Sequence, residues 1–231
     1  EGGRSFLFCV NGKRLFIRGA NWVPLNCVYG EIRDEEYDYY IGRIVDSNIS
    51  MLRIWGGGIY ESEHFLDACD ELGLLVMEEI PGWQHIGDEA WKERSLKELE
   101  DMIIRDYNRP SIVLWGVRIN ESQDDHNFYE RTNALAHSMD SGRQTGGTRY
   151  IQRSELLEDV YTYNDFTHDG GKAVFRPQPD TTGLEYPVPL LVTESNGHMY
   201  PTKRFDQEQR LTEHTLRHLR VINESLGRED L

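Results

Sequence analysis

The 231-residue chain carries 25 Lys and Arg residues against 40 Asp and Glu residues, which gives a formal net charge of −15. Because so acidic a surface repels nucleic acid and anionic membranes, neither is expected as a main partner. The sequence contains no run of about 18 apolar residues for a membrane span and no signal-peptide pattern at its start. Cys9, Cys27 and Cys69 lack CxxC spacing, which predicts free thiols in a cytoplasmic protein with no metal site and no cofactor.

Apolar runs and helical periodicities alternate along the sequence. The first segment predicts a hairpin in which Phe6 to Val10 and Leu15 to Ile17 flank an Asn11-Gly12 turn. Seven short strands follow, separated by amphipathic helices or loops. The predicted strands are Leu15 to Ala20, Ile49 to Ile54, Leu74 to Met77, Ile112 to Val117, Thr148 to Ile151, Val160 to Asn164 and Leu190 to Thr193. The predicted helices are Asp34 to Val45 (with Asp34 as N-cap), Phe65 to Leu72, Glu89 to Asp106, Phe128 to Met139 and Asp206 to Leu226, whereas residues 165–189 show no periodicity.

Strand followed by helix, repeated about seven times, predicts an α/β fold of parallel βα units. The number of units and the chain length favour a (β/α)₈ TIM barrel, with residues 1–231 forming a single domain. An eighth strand is missing from the sequence, so we expect a barrel truncated before strand eight and a fragment of a longer multidomain chain. Two unpaired sheet edges would remain. We therefore expect low activity in isolation and association with other domains of the parent chain or with a second copy.

Two carboxylates follow predicted strands at the end where such barrels place their chemistry. Glu121 comes after the fourth strand and Glu194 after the seventh. Cleavage of a glycosidic bond requires such a pair, because one carboxyl group protonates the leaving oxygen while the other attacks the anomeric carbon or activates water. The sequence therefore predicts a glycosidase.

Several segments together give this chain a resemblance to glycoside hydrolase family 2. They are Asn120-Glu121 after a Trp-containing fourth strand, Thr193-Glu194 after the seventh, Asn11 to Lys13, Arg18 to Trp22, Arg53 to Gly58 and Arg109 to Ile112. The resemblance extends from Phe6 to about Leu226. It implies a retaining exo-β-glycosidase with Glu121 as acid/base, Glu194 as nucleophile and Asn120 as a donor or acceptor to the sugar 2-hydroxyl.

The chain departs from the family pattern next to both glutamates. The usual Gly-Asn-Glu is Ile119-Asn120-Glu121 here, preceded by Arg118, and Ser195 stands where an aromatic residue commonly follows the nucleophile. These departures bear on the substrate more than on the reaction. The segment from Glu194 to Lys203 is similar to bacterial β-galactosidases, whereas Trp55 to Gly58 is similar to the β-mannosidase branch.

Further residues are candidates for binding the β-glycoside or oligosaccharide substrate. An opposite charge lowers a carboxyl pKa, so Arg53 is expected to keep Glu194 ionised. Tyr163 either donates a hydrogen bond to Glu194 or is a core tyrosine, and Trp115 is at least as well explained by a core role. The other candidates are Trp55 and Trp83 as sugar-stacking walls, and Glu79, His85, Asn164 and His198 as polar contacts.

Three alternatives remain open at this point. One is a β-mannosidase or another β-glycosidase of the same family. Another is a carbohydrate-binding barrel that has lost the reaction, although both glutamates are present. The third is a metal-dependent lyase or hydrolase barrel, which needs three convergent ligands. His214 and His218 have the spacing of a metal pair but lack a third partner in the sequence, so an exposed helical pair is favoured.

Overall fold

Strands and helices alternate through the computed structural model, which describes residues 6–167, 175–195 and 202–228. After an antiparallel hairpin, seven strands run parallel to one another, with helices or loops between them. The described strands are β1 (Phe8–Val10), β2 (Lys13–Leu15), β3 (Gly19–Trp22), β4 (Met51–Ile54), β5 (Leu75–Glu79), β6 (Ile112–Gly116), β7 (Gln144–Gly146), β8 (Tyr161–Asn164) and β9 (Leu190–Glu194). The described α-helices are α1 (Asp34–Asp46), α2 (Glu63–Leu72), α3 (Glu89–Asp106), α4 (His126–Met139), α5 (Gln178–Thr182) and α6 (Glu208–Leu226).

The parallel strands lie side by side in chain order. Strands β3 to β7 form one sheet, β8 pairs with β9, and single bridges from Gly146 to Val160 and from Arg149 to Tyr163 connect β7 with β8. This order confirms the predicted α/β fold. Asn21 Nδ2 donates to the backbone oxygen of Thr193 (3.2 Å), so β9 returns close to β3. No ladder joins β9 to β3 within the described ranges, so barrel closure and a missing eighth strand stay predictions.

Side chains of the inner strands alternate between two faces, as the pleat of a strand requires. On β4, Leu52 and Ile54 face outward into the core shared with the helices. Met51 belongs to the separate inner apolar cluster. Arg53 has the same parity as Met51 and therefore lies on the inner face near the carboxyl end of the strand.

Strand β5 separates two adjacent glutamates by the same rule. Glu78 faces the helix layer, where Arg105 lies 3.5 Å from it. Burial, followed by the charge of neighbouring Asp106, raises the pKa of Glu78 well above its ordinary value. Glu79 has the opposite parity and binds Arg53 on the inner face. Alternation alone thus decides which of the two carboxylates belongs to the site.

The hairpin fills the amino end of the inner face. Phe6, Phe8 and Leu15 pack against a buried cluster that includes Met51 and Leu75, the first residues of their strands. The inner face is therefore apolar where the strands begin and polar where they end. This division directs charged chemistry to the carboxyl ends of the strands.

The fifth parallel strand lies earlier in the chain than predicted. It spans Gln144–Gly146 rather than Thr148 to Ile151. The prediction was wrong because Gln144–Gly146 carries no apolar run, and Gly146 serves close packing inside the sheet. A Cβ added at Gly146 would lie 2.9 Å from Thr162 Cγ2. Thr148 and Arg149, which follow β7, still bond neighbouring segments through their backbones. Thr148 O accepts from the Glu121 amide, and Arg149 forms a bridge with Tyr163.

Two smaller differences concern helices. The N-cap of α1 is Arg33 and not Asp34; the Glu36 side chain accepts a hydrogen bond from the Arg33 amide (3.1 Å), forming a capping box. Asp34 is instead the first helical residue, where a carboxylate favours the helix dipole. The segment of residues 165–189, predicted without periodicity, contains the short helix α5.

Candidate active site

Arg53 is the centre of a polar cluster at the carboxyl ends of the strands. Its guanidinium donates to both carboxyl oxygens of Glu79, at 2.8 and 2.7 Å. It also donates to Asn21 Oδ1 at 2.9 Å, to Asn120 Oδ1 at 2.7 Å and to Glu194 Oε1 at 2.5 Å. A planar guanidinium with five donors can hold several acceptors in fixed directions. Arg53 therefore fixes side chains from β3, β5, β9 and the loop after β6 relative to one another.

Glu79 holds the Arg53 guanidinium of this cluster in place. It is buried, and its oxygens also accept hydrogen bonds from the Gly56 amide at 3.0 Å and from the Thr148 hydroxyl. A Cβ added at Gly116 on the neighbouring strand would overlap the Glu79 side chain, at 2.4 Å from its Cγ. Both carboxyl oxygens of Glu79 are thus bonded to the protein. Its placement favours support of Arg53 over the direct substrate contact expected from the sequence.

Glu194 is the last residue of β9 and bonds the guanidinium of Arg53. Burial is the largest influence on its pKa and raises it. Arg53 acts in the opposite direction, while the charges of Glu121 and Glu79 add to the increase. The net result is a pKa of Glu194 above the ordinary glutamate value. The guanidinium therefore stabilises an anion that burial and two other carboxylates disfavour.

Glu121 lies in the loop after β6 and has a different kind of support. Its carboxylate accepts hydrogen bonds from three neutral groups: Trp83 Nε1 at 3.1 Å, Gln84 Nε2 at 3.3 Å and Asn164 Nδ2 at 3.0 Å. Its backbone amide donates to Thr148 O at 3.0 Å. Its φ of 56° lies in the left-handed region, which is uncommon for a glutamate.

Two asparagines connect the glutamates. Asn164 donates to Glu121 and accepts from Thr193 Oγ1 (2.8 Å), the residue before Glu194. Asn120 is buried, and its Oδ1 is bonded to Arg53. Among the described residues, its Nδ2 has no hydrogen-bond partner. A buried donor without a partner is costly, so this amide is free to bind a ligand hydroxyl.

Aromatic side chains form one wall beside Glu121. The rings of Trp55 and Trp83 have centroids 5.8 Å apart with an interplanar angle of 60°. Trp83 is 53% exposed, which is unusual for so large an apolar ring and suits contact with a sugar face. Trp115, by contrast, is fully buried, and its indole nitrogen bonds Asp140 at 3.0 Å. The expected core role of Trp115 is therefore confirmed.

Two other residues predicted from the sequence contact groups other than the two carboxylates. Tyr163 packs with Tyr161 and Val188 in a core cluster, as expected of a core tyrosine. Its hydroxyl faces Gln152 and Arg176, and burial raises its pKa. The His85 ring lies edge-on to Trp91, with centroids 5.9 Å apart. His198 lies outside the described residues.

The structure also adds residues that the sequence did not single out. Asn21 bonds both Arg53 and the backbone of β9, and Gln84 bonds Glu121. Gln84 has a φ of 59°, which turns its side chain toward the site. Both residues belong to segments at the carboxyl ends of predicted strands, and Asn21 also lies in the Arg18 to Trp22 segment that resembles the family.

Within the described ranges, none of the helices is long and apolar enough to cross a membrane. The same residues include no group of three or more His, Cys, Asp or Glu side chains placed to hold a metal ion. His214 and His218 approach each other on α6, with their Nε2 atoms 3.0 Å apart. The third ligand that a metal-dependent mechanism needs is therefore not supplied by the described part of the chain.

Comparison with known proteins gives a consistent result. Residues 4–212 match the family model "Glycosyl hydrolases family 2, TIM barrel domain". A β-galactosidase of Thermoanaerobacterium thermosulfurigenes is 52% identical over 94% of this chain and 30% of its own length. A β-galactosidase of Thermoanaerobacter pseudethanolicus is 42% identical over 95% of this chain and 28% of its own length.

Among solved structures, a β-galacturonidase of Eisenbergiella tayi matches with a TM-score of 0.76 at 21% identity. The match covers 95% of this chain and 42% of that one, and at this identity it supports the fold alone. The chain thus spans about a third of the length of the curated relatives it matches. With most of its residues matched by the family model, the chain belongs to glycosyl hydrolase family 2.

Proposed function

We propose that this chain carries the catalytic site of a retaining exo-β-glycosidase that hydrolyses terminal β-galactosides. The observation that carries the proposal is the unequal environment of two carboxylates joined through Asn164: Glu194 bonds a guanidinium, whereas Glu121 bonds three neutral donors. A cation beside Glu194 favours its anion, which suits a nucleophile, and leaves Glu121 as the carboxyl group for proton transfer. The substrate class rests on the two β-galactosidases of the preceding section.

In the first step, Glu194 attacks the anomeric carbon as an anion and forms a covalent glycosyl ester. Glu121 donates a proton to the leaving oxygen as the glycosidic bond breaks. Arg53 stabilises the carboxylate of Glu194 before attack and orients the oxygen that does not attack. Asn120 Nδ2 donates to the sugar hydroxyl next to the reacting carbon.

In the second step, water hydrolyses the glycosyl ester and the configuration of the sugar is retained. Glu121 accepts a proton from the attacking water, which returns it to its starting state. The hydrogen bonds from Trp83, Gln84 and Asn164 keep its carboxylate directed at the same position in both steps. Trp55 and Trp83 form the wall on which a sugar ring packs.

The complete protein is part of this proposal. Relatives about three times as long suggest that further domains contribute to its activity. Assays should therefore use the complete product of the gene that encodes these residues. A comparison with residues 1–231 alone tests the expected low activity of an open barrel. Light scattering and activity should be measured on the same sample. A fully active monomer of the isolated chain would contradict the expectation.

The function is tested with a panel of p-nitrophenyl β-glycosides and with NMR of the first sugar product. We expect fastest turnover of the β-galactoside, release of the β-anomer first, and loss of turnover in Glu194→Ala. A preference for the β-mannoside would keep the family reaction and overturn the substrate assignment. Sugar binding without turnover of any β-glycoside would favour a carbohydrate-binding barrel and overturn the proposal.

A further inference from the structure

Arg118 is a buried cation in the same loop as Glu121, at the position where the chain departs from the family pattern. Its guanidinium pairs with Asp124 and lies over the ring of Tyr129, 4.3 Å from the centroid. It also donates to the backbone oxygen of Glu155 at 3.5 Å. Burying a guanidinium is costly unless its charge is compensated, so this arrangement needs an explanation.

The pair of Arg118 and Asp124 connects the two ends of a loop that spans residues 118–124, which we call the acid loop. Asp124 is held in turn from the neighbouring segment, by Ser154 Oγ at 2.5 Å and by the Glu155 amide at 3.1 Å. Burial tends to raise the pKa of Asp124, but hydrogen bonds from Ser154 and Arg118 outweigh it and lower the pKa. The ion pair therefore persists through the mildly acidic range.

Glu121 lies at the middle of the acid loop in its left-handed conformation. Asn120 before it is fixed by Arg53 and by the Gln84 amide, which donates to Asn120 O at 2.8 Å. Ser122 after it bonds the hydroxyl of Tyr129, the ring that supports Arg118. A left-handed conformation is strained for a glutamate and persists only when its surroundings hold it in place.

We propose that Arg118 and Asp124 are positioning residues for proton transfer by Glu121. The pair closes the acid loop, and Tyr129 transmits this constraint through Ser122 to the neighbouring glutamate. The inference rests on the proposed function, because it concerns the proton that Glu121 gives to the leaving group. Neither Arg118 nor Asp124 contacts Glu121 directly through any of the hydrogen bonds described above.

Arg149 offers a matched control. It is also fully buried, pairs with Glu158, and lies over a tyrosine ring, 4.5 Å from the centroid of Tyr161. Its side chain bonds the backbone oxygens of Gly147 and Glu155, of which the second is shared with Arg118, and Glu158 also lies 4.0 Å from Arg118. None of the hydrogen bonds described above joins Arg149 to Asp124 or Tyr129. Removal of either arginine should cost stability, but only removal of Arg118 should release the acid loop.

The test compares kcat/KM, which reports formation of the glycosyl enzyme, for two β-glycosides of the sugar that the panel selects. A dinitrophenyl glycoside needs no proton to leave, whereas a disaccharide does. In Arg118→Met we expect about a 10- to 100-fold loss on the disaccharide and less than about 3-fold on the dinitrophenyl substrate. Asp124→Ala should behave alike, and because the side chain of Asp124 is 42% exposed this variant tests the idea even if Arg118→Met does not fold.

Arg149→Met should change both substrates by the same factor. Equal losses on both substrates in Arg118→Met and Asp124→Ala, or a leaving-group-dependent loss in Arg149→Met, would overturn the positioning role. Labelling with a dinitrophenyl 2-deoxy-2-fluoro-β-glycoside distinguishes failure of the positioning role from failure of the proposed function. Covalent labelling of the unaltered protein supports the proposed function, and the kinetics of the variants then decide the role of Arg118. Absence of both labelling and turnover would overturn the proposed function and the positioning role together.

Discussion

The two glutamates of the site occupy the same end of the sheet but have opposite kinds of partner. Glu194 ends a strand and bonds a buried arginine that three other side chains hold in place. Glu121 lies in a loop, in a left-handed conformation, and its partners are an indole and two amides. Only Glu194 has a cation among its described hydrogen-bond partners, and a neighbouring cation favours a carboxylate anion.

Local partners, and not residue type, therefore distinguish the two carboxyl groups, and this distinction is the basis of the proposed roles. Both groups are glutamates, and the charge of Glu121 contributes to the raised pKa of Glu194. The structure separates them through Arg53, which reaches Glu194, Glu79 and Asn120. The predictions below change one side of the comparison at a time.

The largest effect should come from removal of either carboxylate, with a different dependence on the substrate. Glu194→Ala should lower kcat/KM by about 10⁴-fold or more on every β-glycoside, because no covalent intermediate can form. Glu121→Ala should lower kcat/KM about 10²- to 10⁴-fold on a disaccharide, but less than about 10-fold on a dinitrophenyl glycoside. Steady-state kinetics with both substrates measure this, and equal losses in the two variants would remove the basis for separate roles.

Arg53→Lys should have the next largest effect. Lysine keeps the charge but cannot hold Glu79, Glu194, Asn21 and Asn120 at once, so we expect kcat/KM to fall about 10²- to 10³-fold. Arg105→Lys is the control, because Arg105 is an arginine of the outer layer paired with Asp106. Activity of Arg53→Lys close to that of Arg105→Lys would show that the geometry of the guanidinium is unimportant.

Trp83→Phe should have a smaller effect. It keeps an aromatic ring beside Trp55 and removes the 3.1 Å hydrogen bond to Glu121. A hydrogen bond of this kind contributes about 1 kcal/mol, which corresponds to about a 5-fold loss of kcat/KM on a disaccharide. A loss confined to KM, with kcat unchanged, would instead indicate that Trp83 only stacks on the sugar.

The smallest change concerns pH. Glu194 must be ionised to attack, so activity falls as the pH drops through its raised pKa. Glu121→Gln removes a negative charge that contributes to this increase, so the acid limb of kcat/KM on a dinitrophenyl glycoside should move to lower pH. Glu130→Gln, at an exposed position on α4, should leave the limb in place. An acid limb that does not move in Glu121→Gln would mean that the two carboxylates do not interact.

Much of the fold followed from the sequence because local signals agreed with it. The helix predicted from about Glu89 to Asp106 is confirmed, because its apolar spacing is regular and the structure adds Asp88 as its N-cap. The fifth parallel strand was misplaced because Gln-Thr-Gly carries no apolar run, and only the packing of Thr162 against Gly146 explains the glycine. Long-range packing of this kind leaves no local pattern.

The site was predictable where position along a strand decides it and not where side-chain direction does. Glu121, Glu194 and Arg53 follow from their positions at strand ends. The sequence did not indicate that both carboxyl oxygens of Glu79 would bond Arg53, or that the Gln84 side chain would bond Glu121. Those contacts depend on a left-handed backbone and on a guanidinium shared among three strands and a loop, which are tertiary features.

The assignment of Glu194 as nucleophile and Glu121 as acid/base is tested most directly by the position of a covalent label. A dinitrophenyl 2-deoxy-2-fluoro-β-glycoside should inactivate the complete protein with release of one equivalent of dinitrophenolate, because the glycosyl ester forms but hydrolyses slowly. Mass spectrometry of the digested protein should then place the sugar on Glu194. A label on Glu121 or Glu79, or turnover with inversion and no label, would contradict the assignment.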